Sequence, residues 1–150
     1  MPQVTSGPVL LCYDGLEESR HAIAVAAGLL TERRAIVLNI GPLELVAEAY
    51  AAEGSGAADT SIAASAQAAA VAEAGADAAR RAGFRAEPRS ELDTPVWRAI
   101  VRVADEIGAS VIVLGSEGLT GVRELLEGSV SHAVAAHAGR PVLVVTRPAG

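Results

Sequence analysis

The sequence predicts a doubly wound α/β fold, a five-stranded parallel sheet with helices on both faces. Three observations predict it. Five strand-like stretches, four of them short apolar runs, alternate with four helical segments, the order that builds right-handed βαβ units. The runs are continuously apolar, as in strands covered on both faces of a parallel sheet. Hydrophobic residues make up 51% of the 150 residues but aromatics only 3%, so the core is built from Val, Leu, Ile and much Ala, which suits alanine-rich helices on a branched-aliphatic sheet.

The elements follow in order. Pro8–Tyr13 (PVLLCY) is the first strand, broken at once by Asp14-Gly15. From Glu17 the period changes, with Ile23, Ala26, Ala27 and Leu30 on one helical face. Glu17 and Glu18 sit in the first turn, where the helix dipole favours negative charge. Ala35–Ile40 (AIVLNI) is the second strand, and Gly41-Pro42 is expected to end it because proline cannot donate to a ladder. Leu43–Ser61 contains EGSGAADTS and is expected to be a partly ordered loop over one sheet edge. Ala63–Arg81 has the composition of a long helix.

Gly83 closes that helix, and Phe84–Leu92, with Pro88 inside it, is expected to be an edge strand. Thr94-Pro95 marks a helix start with Thr94 as N-cap. Trp97, Ile100, Val101, Ala104 and Ile107 form its expected apolar face, closed by Gly108. Ser110–Leu114 (SVIVL) is the next strand, and the glycine-punctuated stretch Gly115–Ser129 joins it to a helix reaching Ala138. Val130, Ala133, Val134 and His137 share a face of that helix, and Gly139 stands at its C′ position. Pro141–Val145 (PVLVV) is the last strand, which completes a single expected domain over residues 1–150 with its core at about 8–146.

Charge and composition narrow the function. A formal charge of −6 and a pI near 5.0 disfavour nucleic-acid and anionic-membrane partners, which need clustered basic residues. Cys12 is the one cysteine, so no internal disulfide forms, and three scattered histidines make no metal site. His132 is expected on the polar side of its helix, His137 packed on the apolar side and His21 at the surface. With no leader-like segment and no apolar run near the length of a membrane span, the expected location is the cytoplasm. No Ser/His/Asp arrangement emerges from the spacing, and no catalytic residue is assigned.

In a doubly wound sheet, ligands bind outside the carboxyl ends of the strands where the strand order reverses. Three segments converge on that edge: Tyr13-Asp14-Gly15, Asn39-Ile40-Gly41, and the chain from Gly115 onward. Loop glycines can turn backbone N–H groups inward as an anion-binding nest, and the helix N-terminus after Ser129 adds free amides. Phosphate is the natural guest. Neither GxxxxGK[ST] nor a GxGxxG after a strand is present. A longer pattern is: Gly115, two residues, Gly118, nine residues, then Gly128-Ser129, between SVIVL and VSHAVAAHAGRPVLVV.

With DGLEES at the first turn and the terminal PVLVV strand, this pattern resembles the universal stress proteins of the single-domain kind that carry an ATP-binding signature, over Pro8 to Val145. The resemblance implies the adenine-nucleotide α-hydrolase-like fold with strand order 3-2-1-4-5. It implies an adenine nucleotide (ATP, ADP or AMP), with adenine held by Asp14 and the Ile40 backbone and ribose near Gly115 and Gly118. Phosphates would meet Gly118, Gly128, Ser129 and Val130, with Mg2+ or Mn2+ accompanying them. It also implies a homodimer paired through the last strand, and Val142–Val145 would otherwise be an uncovered apolar edge.

Two positions depart from the family's usual pattern, Leu16 where serine commonly follows Asp-Gly, and Glu117 where a basic residue or histidine is frequent. A Glu117 carboxylate about 6 Å from a phosphate repels it by roughly 3 kcal/mol at an effective dielectric of 20, so triphosphate should suffer more than AMP. Plainer readings stand beside the ligand roles: the loop glycines as tight turns that bind nothing, Asp14 as a turn former, Cys12 as core. The functional reading is a nucleotide-binding regulator of the stress response. A slow ATPase and a nucleotide-independent dimeric interaction module, with Leu43–Ser61 facing the partner, are the alternatives.

Overall fold

The computed structural model describes residues 6–43, 48, 51–52, 57–116 and 130–146. Its elements are β1 (Val9–Cys12), α1 (Glu17–Leu29), β2 (Arg34–Pro42), α2 (Ala57–Ala82), β3 (Arg85–Asp93), α3 (Val96–Ile107), β4 (Val111–Gly115), α4 (Val130–His137) and β5 (Val142–Val145). The strands form one parallel sheet in the order β3-β2-β1-β4-β5, as the sequence led us to expect.

Period-two alternation divides the apolar runs between the two faces. Val9, Leu11 and Tyr13 point to the side where Ala22, Ile23 and Ala26 of α1 and Ala76 and Ala79 of α2 pack. Leu10 and Cys12 point to the side covered by Ile100, Val103 and Ala104 of α3 and Val134 of α4. Both faces are dry, which is why the runs read as apolar throughout. Past the end of α1, Arg33 serves its last turn. The guanidinium donates to the Ala27 carbonyl at 3.1 Å and to the Leu30 carbonyl, and it lies 4.7 Å from the Phe84 ring centroid. It satisfies carbonyls that a helix C-terminus leaves without intrahelical donors.

The structure corrects several boundaries. β2 runs through Gly41-Pro42, which pair in register with Leu92 and Asp93 of β3. β1 stops pairing at Cys12, opposite Leu38, so beyond that point, among the described residues, β2 has a strand on one side only and tolerates a residue without an N–H. Ala57–Ser61, expected in a loop, begin α2, where Asp59 occupies the first turn. Leu43, Glu48, Ala51 and Ala52 are helical as well. The rest of that expected loop, residues 44–47, 49–50 and 53–56, lies outside the described residues.

In α3 the N-cap is Pro95, extended at φ −74 and ψ 154, and Thr94 makes no side-chain cap bond. The Thr94 N–H instead donates to Asp93 Oδ1 at 2.7 Å. The buried stripe of α3 is Ala99, Ile100, Val103 and Ala104, flanked by Val96, Trp97 and Ile107, while Val101 lies off it. In α4, Ala133 and Val134 are buried but Val130 and His137 are exposed. Gly108 and Gly139, both at φ 64, close their helices as expected.

Candidate functional site

The carboxyl edge of the sheet is organised by the first turn of α1. Tyr13 N–H donates to Leu38 O at 2.9 Å, extending the β1–β2 pairing one step, and the Asn39 side-chain amide donates to Tyr13 O at 2.9 Å. The turn after β1 is thereby tied to β2. Gly15 then takes φ 87, a left-handed conformation that glycine adopts without a Cβ penalty. This lets Asp14 fold back on the chain as an Asx turn, with Oδ1 accepting from Leu16 N–H at 2.9 Å and from Ser19 Oγ at 2.7 Å. Ser19 is buried in the first turn of α1, and its Oγ is also 3.3 Å from Asp14 N.

The end of β4 docks on the same turn. A Cβ at Gly115 would lie 2.7 Å from Glu18 O and 3.0 Å from Ser19 N, so only glycine permits this approach. Beyond it, Ser116 N–H donates to Val145 O at 2.8 Å. Asp14 and Gly115, 101 positions apart in the numbering, are therefore both held against one helical turn. Ile40 lies two residues past the last β1–β2 pair and is in register with Glu91 on its other side. The three expected segments thus meet where the order reverses between β1 and β4.

Gly118, Gly128 and Ser129 lie outside the described residues, as do Glu117, Gly121 and Arg123. Val130 opens α4 with 38% exposure. Asp14 makes the turn-forming bonds that its plainer reading required, and it is exposed. Cys12 packs against the α3 side of the sheet while keeping some exposure as a residue. Burial, and secondly the Asp14 carboxylate, push its thiol up to about 12, so it stays protonated. A hydrogen bond to the Tyr13 side chain holds the Arg20 guanidinium above its ordinary range. His137 stacks on Trp97, with centroids 4.5 Å apart and planes at 26°, and its Nδ1 is 2.9 Å from Ala133 O. Among the described residues no three His, Cys, Asp or Glu side chains gather to hold a metal, and no helix is long and apolar enough to cross a membrane.

Ser19 escaped the sequence reading, and Asn39 was placed at the edge but without a role of its own. Their only signals were a serine five residues after Asp14 and a lone amide inside AIVLNI.

A family model, that of the universal stress protein family, matches residues 6–146. The chain belongs to the universal stress protein family. Among curated relatives, universal stress protein MJ0577 of Methanocaldococcus jannaschii is 44% identical over 48 residues, 32% of this chain and 30% of that protein. The chain spans less than half the length of the curated relatives it matches. Across the fold the likeness is longer. The solved structure of MJ0577 superposes with a TM-score of 0.76 at 21% identity over 97% of this chain and 99% of that one. A universal stress protein in complex with cAMP matches at 0.64 and 24% identity, over 95% of this chain and 98% of that one. One from Archaeoglobus fulgidus in complex with dAMP matches at 0.62 and 19% identity, over 93% and 97%. With its strand order, this universal stress protein therefore has the adenine-nucleotide α-hydrolase-like fold.

Proposed function

We propose that this universal stress protein binds an adenine nucleotide at the carboxyl edge of its sheet and acts through that binding as a cytoplasmic regulator in the stress response. The observation that carries the reading is the docking of the Asp14 turn and of Gly115 on one helical turn, beside Ile40, at the point of strand reversal. Two structural neighbours with this fold are complexes with cAMP and dAMP. Asp14 and the Ile40 backbone take the base, Gly115 and Gly118 the ribose, and Gly118, Gly128, Ser129 and Val130 the phosphates. Mg2+ or Mn2+ would accompany the phosphates.

The protein functions as a homodimer. Among the described residues β5 pairs with β4 alone, and Val144 on this edge strand is 38% exposed. Pairing with the β5 of a second copy covers both edges.

Melting with and without nucleotide tests the binding. A ligand at 100 times its Kd stabilises by about 2.7 kcal/mol, which in a domain of this size raises Tm by about 5–10 °C. We expect ATP or AMP to do so, and Asp14→Ala to reduce the shift. ADP formed over minutes rather than many hours would make the protein an ATPase instead of a binder.

A further inference from the structure

We propose that Ser19 is a positioning residue that gives the site its preference for a 6-aminopurine over a 6-oxopurine, by holding the Asp14 carboxylate in one orientation. This rests on the reading of Asp14 as the contact to the base. Ser19 is 5% exposed, and its Oγ lies 2.7 Å from Asp14 Oδ1, 3.0 Å from Leu16 O and 3.3 Å from Asp14 N. A hydroxyl has one proton and two lone pairs. The shorter, charge-assisted partner, Oδ1, takes the proton, and the Asp14 N–H donates back to Oγ. Leu16 N–H donates to the same Oδ1 at 2.9 Å. The α1 N-cap is Leu16, which has no hydroxyl and makes no side-chain cap bond, so Ser19 supplies the hydroxyl of this turn.

Two donors on Oδ1 fix the rotation of the carboxylate. Oδ2 takes no hydrogen bond from the described residues. An ionised oxygen only accepts, so its natural partner is a donor such as the 6-amino group of adenine. A 6-oxopurine presents a carbonyl there and carries its donor on N1 instead. A carboxylate locked in one orientation cannot follow that displaced donor, whereas a rotating one can. The end of β4 approaches the backbone of Ser19 closely, its N lying 3.0 Å from the Cβ position of Gly115.

Titrations with AMP and IMP test this in the full chain. Wild type should prefer AMP. Ser19→Ala should cut the AMP/IMP affinity ratio by about tenfold, the loss of an oriented hydrogen bond to a charged group. Ser19→Thr, which retains the hydroxyl, should keep the ratio, and in an Asp14→Ala background Ser19→Ala should change it no further. If Ser19→Ala does not fold, Ser19→Cys, of similar size with a weaker donor, carries the same test. Wild type that prefers AMP, with an unchanged ratio in the Ser19 variant, overturns the positioning role and leaves the nucleotide reading intact. Wild type that binds neither nucleotide overturns both.

Discussion

Replacing Gly115 with alanine puts a methyl carbon 2.7 Å from Glu18 O, 2.8 Å from Glu18 C and 3.0 Å from Ser19 N. All three are backbone atoms of α1, so no side chain can swing aside, and either the end of β4 or the first turn of the helix must retreat by a few tenths of an ångström. Overpacking of this kind costs about 1–3 kcal/mol. At roughly 2–4 °C per kcal/mol for a chain of this length, Tm should fall by about 2–12 °C. Gly28 is the control. It lies within α1 with nothing inside 4 Å of its Cβ position, so Gly28→Ala should gain up to about 1 kcal/mol from helix propensity alone. Urea denaturation of the two variants beside wild type measures both. A Gly115→Ala protein as stable as wild type, with Gly28→Ala behaving as expected, would refute the close approach of β4 to α1. The same variant should weaken nucleotide binding, because the turn that retreats carries Ser19.

Other consequences follow from individual groups. The Cys12 thiol, raised from 9.0 to about 12, favours the neutral form in the fold. Its contribution is complete below pH 9 and lost as pH rises toward 12. Alkylation of the native protein at pH 9 should therefore be slow and rise only on unfolding, and fast labelling would contradict burial of the thiol. Glu91 is held below its ordinary 4.5 by its hydrogen bond to Arg102, with Arg89 assisting. A lowered carboxylate stabilises above its unfolded pKa and ceases to as pH falls through its folded value. Glu91→Gln should therefore be less stable at pH 7 and decline more gently from pH 5 to 3, and a parallel decline would show that the pair contributes nothing. Val144→Lys places a charge on the outer edge strand and should give monomers in sedimentation, while an unchanged mass would exclude the β5 edge as the dimer contact.

The sheet was legible because a strand dry on both faces has to be apolar at every position, and VLLC, IVL and VIVL are such runs. The helix ends at Gly108 and Gly139 were legible for the same kind of reason, since a left-handed C-terminal residue is most easily glycine. Of the expected α3 face, Trp97, Ile100, Ala104 and Ile107 do pack on the core, whereas Val101 lies off it and Val103 and the smaller Ala99 are buried there. Trp97 also stacks on His137. At the site, Asp14, Ile40 and Gly115 were visible from their positions at strand ends. The reason for Gly115 was not, because its closest neighbours, Glu18 and Ser19, are about a hundred positions away in the chain. Ser19 was hidden likewise, because its bond to Asp14 depends on the left-handed turn at Gly15.

Binding of an adenine nucleotide is the central claim, and mass spectrometry of the purified, then denatured, protein tests it most directly. An adenine nucleotide approaching one per chain should be released, and less from Asp14→Ala. Repeated preparations that release none, together with a Tm that millimolar ATP leaves unmoved, would contradict it.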